Sequence, residues 1–142
     1  MDKKFEIIVR LVFLKNNKIL FCKQKTEDYY FLPGGHVEFG ESVNDSIGRE
    51  IAEELDAMAS EISFIGAIEN IFSDEDGNHH ELNLVFSARL DKDDALSKEN
   101  HLEFAWVDAD GLESQTIYPI ALKNSLIKWL EDRKIFWASQ KK

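Results

Sequence analysis

The sequence predicts a single mixed α/β (α+β) domain over residues 1–142, and three observations carry that reading. The length of 142 residues is that of one domain at roughly 150 residues each. Hydrophobic residues make up 44% of the chain and include ten Phe, three Tyr and three Trp, which is enough apolar material for a sizeable core and excludes disorder as the main state. Along the chain, strand-like runs give way to a helical pattern, return, and end in a second helical pattern, an order that suits a mixed α+β fold or an α/β/α sandwich.

Residues 6–14 (EIIVRLVFL) are rich in β-branched and aromatic types, and Lys15-Asn16-Asn17-Lys18 is a polar turn before a second apolar run over 19–23, so a hairpin is expected. A third extended piece, 29–32, stops at Pro33-Gly34-Gly35, and 36–39 reads as a short strand before Gly40. Residues 42–57 form the clearest helix. Ser42 and Asp45 have capping-box spacing, and Val43, Ile47, Ile51 and Leu55 recur every fourth residue. Gly48 within it costs about 1 kcal/mol against alanine, which calls for close packing or close backbone approach. Strands are expected over 62–72 and 82–90 around a turn at 73–78, then a charged loop over 91–100, a short strand over 104–107 and a helix over 119–129.

The formal charge of −10 repels phosphate backbones and anionic lipid, so neither nucleic acid nor a membrane surface is an expected partner. The single cysteine, Cys22, excludes an internal disulfide and suits a reducing cytoplasm as a small buried thiol. No apolar run approaches the roughly 18 residues of a membrane span, and the first residues lack a signal-peptide core. A cytoplasmic protein is the resulting expectation.

The chemistry concentrates in residues 35–55. Glu50, Glu53 and Glu54 stand at i, i+3 and i+4, so they share one helix edge beside the apolar stripe. Like charges at this spacing destabilise a helix, and a divalent cation with hard oxygen preference is the natural offset. An acidic run of this kind is more often a solvated face. Here, however, a glycine-rich turn ends just before the helix, Glu41 stands at its threshold, and Arg49 adjoins Glu50, able to pair with one acid and orient the rest.

With those residues in view, the stretch resembles the Nudix box, G-x5-E-x7-R-E-U-x-E-E-x-G-U with U aliphatic, over residues 35–57. It is met by Gly35, Glu41, Arg49, Glu50, Ile51, Glu53 and Glu54. It departs where Asp56 replaces the glycine that normally ends the helix, and at Ala57, a weak aliphatic. The resemblance implies a Nudix α/β/α sandwich with a mixed central sheet, and Mg²⁺-dependent (or Mn²⁺-dependent) hydrolysis of a nucleoside diphosphate linked to another moiety. That moiety leaves a nucleoside triphosphate, modified nucleotide or nucleotide sugar open. By position it implies Glu50 and Glu54 as principal metal ligands, Glu53 as a further ligand or the residue that activates water, and the Gly34 carbonyl as a backbone ligand. Glu41 and Arg49 then form an orienting ion pair. Glu99 is similar in place to the family's mobile-loop glutamate that joins the metals or acts as base, with Glu103 as its competitor. The alternative is a catalytically silent nucleotide-binding or regulatory domain, and both monomer and homodimer stay open.

Other patterns carry less. Gly35 and Gly40 bound a loop with Glu41 where a P-loop needs lysine, which discards that reading. Adjacent His79 and His80 on a strand point to opposite faces and lack metalloprotease spacing. Tyr29, Tyr30 and Phe72 are candidate base-stacking rings, and Glu81 is a candidate substrate contact. ADP-ribose hydrolases of the family often carry a proline about fifteen residues past the box, where this chain has Phe72-Ser73-Asp74, which weakens that substrate.

Overall fold

A computed structural model describes residues 3–92 and 100–142. The elements run β1 (Phe5–Lys15), β2 (Lys18–Gln24), β3 (Gly34–His36), α1 (Val43–Leu55), β4 (Ala59–Asp74), β5 (Gly77–Leu90), β6 (Leu102–Asp108), a 3₁₀ turn (Ala109–Ser114), α2 (Ile120–Asp132) and β7 (Phe136–Lys141). The seven strands form a mixed sheet in the order β6-β2-β1-β5-β4-β7, with β3 paired to β1. β1 runs parallel to β5, with Phe5 opposite His80 and Phe13 opposite Ala88, and antiparallel to β2 and β3.

β1 is buried on both faces, as a central strand with a near-continuous apolar run must be. Alternation sends Val9, Leu11 and Phe13 to one side, where they meet Leu20 and the α1 stripe Ile47, Ile51 and Leu55. Val12 goes to the other side, where Phe21, Ile68, Val85 and the α2 residues Leu122, Leu126 and Trp129 close a second core. This is the three-layer sandwich, with Cys22 buried inside it.

Most departures from the sequence reading are local. The turn between β1 and β2 forms at Asn16 and Asn17, both with positive φ (52° and 59°), the geometry that two-residue hairpin turns require and Asn tolerates. Residues 29–32 make only isolated bridges, Cys22 to Phe31 and Tyr30 to Ile117, in place of a strand. β3 starts at the glycines and ends at His36, so 37–39 is loop. The β4–β5 turn narrows to Glu75-Asp76, with Gly77 at φ 118°. β7 has no counterpart in the sequence reading.

α1 begins where its cap is. Ser42 Oγ accepts the Asp45 N–H at 3.1 Å, a contact that contributes about 1 kcal/mol. It ends at Asp56, which takes the left-handed conformation (φ 51°, ψ 45°) in the place of the family's glycine, a region Asp tolerates better than most side chains. Gly48 answers neither reason given for it above: a Cβ there would meet nothing within 4 Å. None of the helices in the described residues is long and apolar enough to cross a membrane.

Candidate active site

The site begins with two glycines set hard against their neighbours. Gly34 sits at φ 142° against β1, where a Cβ would run into the Val9 carbonyl, and a Cβ on Gly35 would occupy the Glu50 carboxylate position. The loop therefore lies directly on α1, and the Gly34 N–H donates to Glu54 Oε1 at 3.3 Å. Exposure grades along the acidic edge: Glu54 is buried (5%), the Glu50 side chain nearly so (13%) and that of Glu53 half-exposed (54%).

Arg49 gathers these groups. Its Nε donates to Glu41 Oε2 at 2.8 Å and its Nη2 to Glu41 Oε1 at 3.0 Å, a two-point fork. Nη1 donates to Glu50 Oε1 at 2.9 Å and lies 3.4 Å from Glu53 Oε2, while Nη2 also reaches the His36 carbonyl at 3.0 Å. Glu38, which sequence reasoning missed, approaches Nη2 at 3.9 Å. Its signal was available in the acid-rich turn, since Glu38 stands three residues before Glu41. The Arg49 fork, with the Glu38 N–H donating to Oε1, holds the Glu41 carboxyl down at about 2. Arg49 itself is pushed further up by Glu41 and Glu50.

In chemistry these donors suit a hard divalent cation: three carboxylates on one edge, one of them buried, lie against a loop whose missing Cβ atoms leave its backbone beside Glu50 and Glu54. They line an edge rather than closing round a point. Among the described residues, no group of three His, Cys, Asp or Glu side chains is arranged to hold a metal ion.

The other expected residues fall in three places. Glu99 lies outside the described residues. Glu103 is on β6, 3.8 Å from Lys23 Nζ, a contact unconnected to the Arg49 cluster. Tyr30 packs against the α2-side core with Phe21 at 5.9 Å, whereas its neighbour Tyr29 lines an open cleft with Arg10, Phe31, Asn70, Phe72 and Tyr118. Phe72 also stacks on His79, with centroids 4.7 Å apart. Glu81 accepts from Asn70 Nδ2 and Asn83 Nδ2, each at 3.4 Å. Sequence reasoning missed Arg10, Asn70 and Asn83. A charged residue inside the apolar run 7–14 was the available signal for Arg10.

The adjacent histidines do point apart. His79 Nδ1 lies 2.8 Å from Glu6 Oε2 and its Nε2 2.8 Å from Asp74 Oδ1, while His80 pairs with Glu69 on the other face. Glu6 also reaches His36 Nε2 at 2.9 Å.

Compared with known families, residues 5–130 match the NUDIX domain. The chain belongs to that family. Over 75 residues, 51% of its length, this Nudix domain is 37% identical to an ADP-ribose pyrophosphatase of Methanocaldococcus jannaschii. The matched stretch covers 43% of that protein, less than half of the curated relative. In fold the Nudix domain is similar to the MutT protein of Bacillus halodurans (TM-score 0.77, 18% identity, covering 96% of this chain and 90% of that one). It is also similar to a MutT Nudix hydrolase of Burkholderia pseudomallei (TM-score 0.72, 22% identity, covering 87% and 97%).

Proposed function

We propose that this Nudix domain is a pyrophosphohydrolase that cleaves the diphosphate of a nucleoside diphosphate linked to another moiety, using Mg²⁺ or Mn²⁺. The observation that carries the reading is the acidic edge of α1 drawn against Gly34 and Gly35 by Arg49. Glu50, Glu54 and the Gly34 carbonyl would hold the cation. When bound, it supplies neutralisation of the diphosphate charge and polarisation at phosphorus. It also reconciles an anionic substrate with a chain of charge −10.

Each residue then has a distinct task. Glu53, the most exposed of the three acids, is the one assigned to take a proton from an attacking water. Glu41 and Arg49 are positioning residues, because their fork fixes the guanidinium that in turn sets Glu50 and Glu53. Glu99, outside the described residues, is proposed to join the site. ADP-ribose stands among the substrates to test, supported by the M. jannaschii relative. Residues 1–142 are proposed to work as one domain, since β7 lies beyond the matched 5–130 and still pairs with β4.

A panel of nucleoside triphosphates, nucleotide sugars and ADP-ribose, assayed for phosphate, pyrophosphate or monophosphate release with and without Mg²⁺, tests the proposal. Metal-dependent turnover of one class is expected. Nucleotide binding without turnover of any would mark a silent binding domain instead.

A further inference from the structure

On the α2 side of the sheet, an open cleft of about 460 Å³ is walled by Tyr29, Phe31, Phe72 and Tyr118, within the roughly 300–1,000 Å³ of small-molecule sites. Tyr29 and Tyr118 pair with centroids 4.9 Å apart, and Arg10 lies 5.8 Å over the Phe31 ring. Asn70, 8% exposed, also lines this cleft, and its Oδ1 is buried with no hydrogen-bond partner among the described residues. An orphaned buried acceptor is destabilising, so it calls for a donor that the described residues do not supply.

The neighbouring network fixes which end of the amide is left over. Glu81 only accepts, and it takes Nδ2 of both Asn70 and Asn83, which turns both amide oxygens away from it. The Asn83 oxygen is filled by Arg10 Nε at 3.3 Å, and Arg10 Nη1 donates to the Leu32 carbonyl at 3.0 Å. Only Asn70 Oδ1 is left. Arg10 lines the same cleft as Asn70. The chain of contacts thus runs from the Asn70 amide, through Glu81, Asn83 and Arg10, to the Leu32 carbonyl, two residues before Gly34.

We infer that Asn70 is a specificity-determining residue that accepts a hydrogen bond from an N–H or NH₂ of a nucleobase lying in this aromatic cleft, with Glu81 as the residue that orients its amide. The inference rests on the nucleotide-hydrolase reading for its ligand class. Aromatic walls hold any base by its face, and the acceptor at the floor selects among them by edge. Rotation about χ2, a soft torsion, brings Oδ1 to a ligand.

The test is calorimetric binding of four nucleotides to the full chain without metal, so that it is read independently of turnover. One pair is AMP and purine riboside 5′-monophosphate, which lacks the exocyclic amine. The other is IMP and 1-methyl-IMP, which lacks the ring N–H. At least one pair should differ about tenfold in Kd, the value of one buried hydrogen bond, and that ratio should fall below about twofold in Asn70→Leu. Thermal melts of Asn70→Leu should match or exceed wild type, since the variant removes an unsatisfied oxygen. Glu81→Gln, which can donate to Asn70 Oδ1, should lower the same ratio with the fold intact. Equal affinities within both pairs, a ratio unchanged in Asn70→Leu, or no binding of any of the four at millimolar concentration overturns the inference. Selective binding with no metal-dependent hydrolysis overturns the hydrolase reading and leaves the role of Asn70 standing.

Discussion

Arg49 holds Glu41 by two points at once, Nε to Oε2 at 2.8 Å and Nη2 to Oε1 at 3.0 Å, across the turn that joins β3 to α1. A lysine keeps the charge but cannot form that fork. Arg49→Lys and Glu41→Gln are each expected to lower kcat by roughly 10–100-fold, the usual effect of losing a group that orients metal ligands. In a double-mutant cycle the two losses should be strongly non-additive. Additive losses would show that the fork does not position the acids.

Glu54→Gln should reduce turnover by about 100-fold or more while far-UV circular dichroism stays that of wild type, because the amide keeps an oxygen for the Gly34 N–H but loses the charge. EDTA should abolish activity, and Mg²⁺ or Mn²⁺ should restore it. Wild-type turnover in the variant, or indifference to EDTA, would remove the metal assignment.

The tip of the β4–β5 hairpin should be pH-sensitive. His79 is raised above 6.5 by its hydrogen bonds to Glu6 and Asp74, so its contribution to stability is complete below 6.5 and is lost as pH rises through its folded value. Asp74, bonded to His79, lies below 3.8. Glu6 lies below 4.5 because its bonds to His36 and His79 outweigh the opposing effect of burial. Their contributions are complete above those values and are lost as pH falls. Amide protection at the tip, taken as the intrinsic exchange rate at each pH divided by the observed one, should therefore be greatest between about pH 4.5 and 6.5 and fall above it. His79→Gln should flatten the alkaline limb, and an unchanged profile would sink the assignment.

Gly48→Ala should stabilise the protein by about 0.5–1 kcal/mol, since a methyl meets no neighbour there and the unfolded chain loses freedom. A melting temperature higher by about 2 °C, with unchanged kinetics, is the expected result. At the other end of the helix, Asp56→Gly should be tolerated and Asp56→Val should lower the melting temperature, because a β-branched residue resists φ 51°.

The acidic edge was legible because its geometry is local. Spacings of three and four residues place Glu50, Glu53 and Glu54 together whatever the rest of the fold does, and Ser42 caps within one turn. Around the cleft, Tyr29, Phe72 and Glu81 were singled out from the sequence, but the polar network was not legible, because Arg10, Asn70 and Asn83 meet Glu81 only through the β1–β5–β4 register, with Glu6 opposite Glu81 and Asn70 opposite the same Glu81. β7 was missed for a related reason. Phe136–Lys141 alternates half-buried with exposed residues and leaves Trp137 62% exposed, so its place in the sheet comes from pairing with β4 rather than from its own composition.

The parallel seam between β1 and β5 also sets an order of events during folding. The β1–β2 and β4–β5 hairpins close over short loops and can form early, whereas Ile8 must find Asn83 across about half the chain before the central strands join. Until that seam shuts, Arg10 has no Asn83 to bind, and a newly made chain has its acidic helix edge encoded but no place for a base. Substitutions at Val9 or Val85, which flank the seam, are therefore expected to slow refolding more than equally buried substitutions in α2, and to lengthen the interval in which unpaired strand edges are open to association with other copies.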